Sequence, residues 1–234
     1  MKTRSVLSRW SKLGAAFNVK PVDTTPDIEQ LLIDTAAVLP KNARLFDVTV
    51  TWLCQNYRLV CRHRLAGLAA RIDNPLTSSA LGLLLDTVKK QLEIDHLNIA
   101  IKKCEKFKTA RPLFEIDQQS KKLTALAKST SSQTGIKWGL WSPAPQLKED
   151  ALKTTNWIMD KNTGLINRAL FNGNLRASIL ETLNHNKQAG QSETALARYC
   201  GVTRKALREA LDHLEFCRMI TRSTIAGKTN IMIT

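Results

Sequence analysis

The amino-acid sequence predicts a mostly α-helical protein carrying short β-hairpins. Three observations lead there. Apolar residues recur at i, i+3/i+4 and i+7 over several stretches, the spacing of one helix face. A helix, tight turn, helix pattern fills 192–214 and is followed by two alternating runs around Ala226-Gly227. A related order of helices and alternating runs occurs upstream, over 44–117.

The 234 residues leave room for two small domains, and an apolar fraction of 43% is ample for packed cores. The net charge of +15 implies an acidic partner, with nucleic acid first among them. No apolar run reaches the ~18 residues of a membrane span, and no long basic amphipathic segment argues for lying on a bilayer. The five cysteines (54, 61, 104, 200 and 217) are scattered, without C-x-x-C and without zinc-ligand spacing to histidine. The N-terminus lacks a secretory apolar core. Together these features place the protein in a reducing cytoplasm, with neither metal nor cofactor.

Taken in order, residues 1–27 carry Lys2, Arg4, Arg9, Lys12 and Lys20 before any acid and read as a basic N-terminal arm. Residues 27–39 form a short helix started at Asp27 and stopped by Pro40. A longer helix follows over 44–61, apolar on more than one side through Leu45, Val48, Trp52 and Leu59. Leu68, Ala69 and Ile72 then form a stripe, the DNP turn breaks it, and Thr77 is placed to cap a helix bearing Leu81, Leu84, Leu85, Val88 and Leu92. Asn98–Lys102 and Leu113–Ile116 alternate as two strands of a hairpin lined by Lys102, Lys103, Lys106, Lys108 and Arg111.

Helix, helix, helix, basic hairpin is the winged-helix order. An internal repeat follows from it, with units near 44–117 and 174–234, and hence a tandem winged-helix architecture. The first domain spans 28–117. Residues 118–146 are rich in Ser, Gly and Pro and read as a linker whose Trp138 and Trp141 dock onto a domain. The C-terminal domain covers 147–234, opening with helices around Trp157, Ile158, Ile166, Leu170 and Phe171 that Gly164 interrupts.

The last unit is the most explicit. Leu175, Ile179, Leu180 and Leu183 line its first helix. Ser192 caps the next, on which Leu196, Ala197 and Cys200 face inward and Arg198 lies beside them. Gly201 supplies the left-handed residue, Val202 points to the core and Thr203 caps the recognition helix. Leu207, Ala210, Leu211 and Leu214 are its apolar face, with Arg204, Lys205, Arg208 and Asp212 opposite. Cations in a first turn oppose the macrodipole, an imbalance that an approaching phosphate or guanine edge would relieve. Arg222 and Lys228 sit on the hairpin, within reach of a phosphate.

The run LARYCGVTRKALREALDHLEFCRMITR resembles the winged helix-turn-helix of the GntR group of bacterial transcription regulators, which reads L-A-x-x-x-G-V-S-R-x-x-V-R-E-A-L-x-x-L. Leu196, Ala197, Gly201, Val202, Arg204, Leu207, Arg208, Glu209, Ala210, Leu211 and Leu214 fit it. The resemblance implies that Arg204 and Arg208 contact DNA, with Thr203 and Lys205 beside them. It covers only this motif, which that group carries at its N-terminus ahead of an effector domain, so it supports DNA binding and not membership.

The function expected is therefore sequence-selective double-stranded DNA binding by a transcriptional regulator acting as a homodimer, with Trp52 and the leucines near 81–85 as dimer contacts. Two alternatives share the DNA-binding unit. One is an antitoxin whose first unit meets a toxin through Thr77-Ser78-Ser79-Ala80; the other is a plasmid replication initiator. A third reading is catalytic, since Arg58 and His63 have the R-x4-H spacing seen in HEPN-type ribonucleases. No other histidine has a partner at triad spacing, and glycine-rich phosphate loops are absent, which argues against an enzyme.

Overall fold

The computed structural model describes the backbone of residues 3–225 and 228–234 and the side chains of 3–223 and 230–234. The protein is mostly helical, and the described residues hold two small two-stranded sheets. Residues 3–12 do not form a solvated arm but a helix, α1 (Thr3–Lys12), because Val6, Trp10 and Leu13 share one apolar face and all are fully buried. Trp10 meets Trp52 edge-on with ring centroids 5.3 Å apart and donates its indole N–H to Thr35 Oγ1 at 2.8 Å.

Helix α2 (Ile28–Val38) is capped by Asp27, which accepts from the Gln30 N–H, and it ends at a 3-10 turn containing Pro40. Asn42 caps α3 (Ala43–Asn56), which gives way to a 3-10 turn at Tyr57 instead of running on to 61. After α4 (Arg62–Ala69) comes the central helix α5 (Pro75–Leu92), buried for most of its length. Its cap is Asn74 and not Thr77: Pro75 fits the first helical position, and the Thr77 N–H donates to Asn74 Oδ1 at 3.0 Å.

The hairpin expected over 98–116 is absent. Leu97 and Ala100 are buried three residues apart, a helical spacing, and Asn98–Ile101 forms the single turn α6. The strand β1 (Arg111–Pro112) pairs in parallel with β2 (Leu140–Trp141), far along the chain. Pro112 lacks the N–H that a return strand would need, which confines it to a short edge. The upstream unit thus has no wing. Between these strands lie α7 (Lys121–Ser129) and α8 (Gln133–Trp138).

Residues 118–146 dock as expected through Trp138, and they belong to the larger body's core. Trp138 is 2% exposed, with its indole N–H donating to Asp86 Oδ2 at 2.9 Å. Gly82 makes that docking possible, since a Cβ there would lie 2.2 Å from the Trp138 ring. The helices α9 (Thr155–Lys161) and α10 (Ile166–Leu170) close the same body, and one hydrophobic cluster runs from Val6 to Leu165.

A second cluster begins at Ile179 and ends at Ile231, so the division between cores falls after Leu165 and not across 118–146. It is built by α11 (Leu175–His185), α12 (Glu193–Cys200), α13 (Arg204–Phe216) and the antiparallel strands β3 (Ile220–Ile225) and β4 (Lys228–Ile233). The register runs from Ile220 opposite Ile233 to Ile225 opposite Lys228. Gly227, expected in the hairpin turn, lies outside the described residues. Helices α11 and α12 pack on α4 of the larger body. Contact there is made at backbone range, for a Cβ at Gly67 would stand 2.0 Å from the Tyr199 carbonyl oxygen. No helix among the described residues is long and apolar enough to cross a membrane.

Candidate nucleic-acid interface

The expected capping chain of α12 and α13 is present residue by residue. Ser192 accepts from the Ala195 N–H at 3.1 Å, and Thr203 accepts from the Ala206 N–H at 3.3 Å. Between them Gly201 holds φ +63°, and the Val202 N–H returns to the Ala197 carbonyl at 3.0 Å. Leu196, Ala197, Cys200, Leu207, Ala210, Leu211 and Leu214 are all buried. Packing therefore fixes the angle between the helices, and what remains outside is the basic edge.

On that edge Thr203, Arg204 and Lys205 are exposed at the start of α13, whose first turn holds no acid. Among the described residues, no carboxylate pairs with Arg204 or Lys205, nor with the exposed Arg198 on α12. Arg208 is different. Its Nε donates to Glu193 Oε2 at 2.7 Å, although the side chain stays 59% exposed.

Arg222 is not free for a phosphate. It is bound to Glu215 through Nε at 2.9 Å and through Nη2, and its Nη2 also meets Asp212 at 2.8 Å. The Arg222 guanidinium holds the Glu215 carboxyl below its ordinary range. This arginine ties the first strand back to α13. The Lys228 side chain lies outside the described residues. Lys102, Lys103 and Lys106 are exposed, but on the irregular segment after α6 and not on a hairpin.

Other expected contact residues are internal. Trp52, Leu81, Leu83, Leu84 and Leu85 are fully buried, so they hold the core and offer nothing to a second copy. Ser79 Oγ donates to the Trp138 carbonyl at 2.6 Å and Ser78 Oγ accepts from the Glu105 N–H at 2.9 Å, which turns 77–80 inward. Arg58 and His63 do not share a helix face. Arg58 belongs to the turn after α3, with Val60 extended behind it, and His63 opens α4. Burial, with Arg62 and His96 nearby, pushes His63 down to about 4.

One constellation escaped sequence reasoning altogether. Glu29 on α2 is fully buried and accepts from Arg168 Nη1 at 2.6 Å, Arg64 Nη1 at 3.0 Å and the Cys61 N–H at 2.8 Å. Arg64 also forks onto Asp27 at 2.5 and 2.6 Å. Arg168, 1% exposed, donates its other Nη to Glu181 Oε2 on α11 at 2.7 Å, and His185 reaches the same oxygen at 3.4 Å. Burial alone would raise the Glu181 carboxyl, but hydrogen bonding from His185 and the Arg168 charge hold it below its ordinary value. The chain of charges joins the two hydrophobic clusters. The available signal was a carboxylate and a guanidinium inside apolar runs, IEQLLI and INRALF.

Among the thiols, Cys61 Sγ meets Arg168 Nη1 at 3.4 Å and Cys200 Sγ lies 3.7 Å from Thr182 Oγ1. Burial pushes Cys200 up to about 11 and Cys104 up to about 12, leaving both protonated near neutrality. Among the described residues, no group of three or more His, Cys, Asp or Glu is placed to hold a metal. No family model matches the chain, and neither a curated protein nor a solved structure was found to match it.

Proposed function

We propose that this is a sequence-selective double-stranded DNA-binding protein, a transcriptional regulator whose α11–α13 and β3–β4 unit acts as a winged helix with α13 as reading helix. One observation carries the reading. Arg204 and Lys205 are exposed, with no carboxylate partner among the described residues, at the positive end of a helix whose opposite face is locked in a core. Such cations are mildly unfavourable there in isolation and become favourable only when an anion or an acceptor-rich base edge arrives. The net charge of +15 supplies the long-range attraction to a polyanion.

A single recognition helix reads few base pairs, so the binding form is a homodimer on a two-fold site. With Trp52 and Leu81–Leu85 in the core, we assign the apolar contact to Phe216 at the end of α13, the most exposed large apolar side chain among the described residues at 89%.

The test is fluorescence anisotropy on a duplex selected from a random pool, beside an unselected duplex. Arg204→Ala lowers affinity for the selected site by about 1–3 kcal/mol and for the unselected one by less. Equal losses on both duplexes refute direct readout. Absence of binding to any duplex at low salt refutes the function.

A further inference from the structure

We propose that Arg71 of the larger body and Arg198 of α12, both held on the ring of Tyr199, form a phosphate clamp that carries the DNA-contacting surface across the junction between the two bodies. The inference rests on the DNA-binding reading above.

Arg9, Arg64, Arg168, Arg208 and Arg222 each meet a carboxylate. Arg71 and Arg198 are exposed, and among the described residues no carboxylate pairs with either. Both are nonetheless fixed. The Arg71 guanidinium carbon lies 4.5 Å from the Tyr199 ring centroid and that of Arg198 lies 5.8 Å away. Arg71 also donates Nε to the Gly67 carbonyl at 2.8 Å, which leaves its two Nη groups for a ligand. A guanidinium placed on an aromatic ring keeps its N–H donors at the rim, where they match the oxygens of a phosphodiester.

The location fits a duplex backbone. Tyr199 stands two residues before Gly201, and Thr203 then caps α13. The clamp therefore adjoins the turn that presents Arg204 and Lys205. Its geometry depends on Gly67, which alone lets α4 reach the Tyr199 backbone. Asp27, Arg64 and His185 line the cleft of about 390 Å³ shared with Arg71 and Tyr199, but Asp27 is already forked by Arg64. A phosphodiester held between Arg71 and Arg198 would set one negative charge between two cations that pair with no carboxylate among the described residues.

The experiment measures duplex affinity of the full chain by anisotropy over a series of salt concentrations, for wild type, Arg71→Gln, Arg198→Gln, the double variant and Arg204→Ala. Each Gln variant is expected to weaken the selected and unselected duplex by the same factor and to shallow the log–log salt slope, by about 0.9 once both are replaced and the shared phosphate is released. Tyr199→Phe keeps the ring and behaves as wild type, whereas Tyr199→Leu reproduces the shallower slope. Thermal melting without DNA separates a mere bracing role: if Arg71→Gln lowers the melting temperature but leaves the salt slope unchanged, the clamp is refuted. Silence of both Gln variants beside a weakened Arg204→Ala removes the clamp alone. Silence of all three removes the DNA reading with it. Calorimetry with inorganic phosphate distinguishes the source. Saturable binding lost in Arg71→Gln, with duplex affinity intact, would assign the pair to a free anion and overturn the duplex contact.

Discussion

Replacing Arg168 by Met tests how the two bodies are held together. The side chain is 1% exposed and makes hydrogen bonds of 2.6 Å to Glu29, 2.7 Å to Glu181 and 3.1 Å to the Leu59 carbonyl. Met fills most of the volume, so the loss is electrostatic. Glu29, fully buried, would keep Arg64 at 3.0 Å and the Cys61 N–H, and Glu181 would keep His185. Removing one partner of a buried pair costs about 3–5 kcal/mol, mainly through the charge left behind. The residual contacts place this case near the lower end, about 3 kcal/mol. Glu29→Gln costs less, about 1–3 kcal/mol, because its amide oxygen still accepts from the Cys61 N–H. In the double variant the Glu29 charge is removed with Arg168 and only Glu181, still held by His185, has lost a partner, so the loss falls short of the sum by at least ~1 kcal/mol. Urea unfolding followed by tryptophan fluorescence reads all four species. Additive losses, or an Arg168→Met loss below ~1 kcal/mol, would refute the view that Arg168 compensates the two buried carboxylates.

Two further outcomes follow from local geometry. The His63 ring, pushed down to about 4, binds a proton less readily when folded than when unfolded, where His titrates near 6.5. Stability is therefore full above pH 6.5 and declines as pH falls from 6.5 toward 4. The shift corresponds to about 3 kcal/mol, which solvent screening at a half-buried ring reduces to about 1–2 kcal/mol. His63→Gln should flatten that part of a stability–pH curve, and an unchanged slope would contradict the assignment. Gly82→Ala drives a methyl group into the Trp138 ring, 2.2 Å away, and should cost about 1–3 kcal/mol by thermal or urea melting; a neutral result would show that Trp138 moves freely.

The C-terminal unit was legible because its signals are local. A Ser cap, a left-handed Gly, a Thr cap and stripes at three and four residues sit within 192–214, and each reports on neighbours one turn away. The upstream unit misled because Asn98–Lys102 alternates for so few residues that a helical turn satisfies it equally, with Leu97 and Ala100 buried together. The N-terminal segment reads as an arm by its charge, whereas the spacing of Val6, Trp10 and Leu13 marks a buried face. In the candidate site, Arg204 and Lys205 stand where the motif places them, whereas Arg222 does not reach outward. Its partners Glu215 and Asp212 precede it by seven and ten residues, across a turn whose geometry spacing alone does not give. Likewise Arg168 and Glu29 are 139 positions apart, and no periodicity reports a contact of that range.

The charge relay through Arg168 also limits how this chain can be recombined. Modular transplantation of a unit assumes a seam where only water and loose polar side chains are severed. Here a cut before α11 would strand Glu181 on one fragment and Arg168 with Glu29 on the other, each having lost an ionic partner. A chimera bearing 175–234 on a foreign body therefore needs a cation grafted opposite Glu181, or Glu181 itself made neutral. The boundary between the two cores is portable only as a matched pair of surfaces, in the manner of a lock that travels with its key.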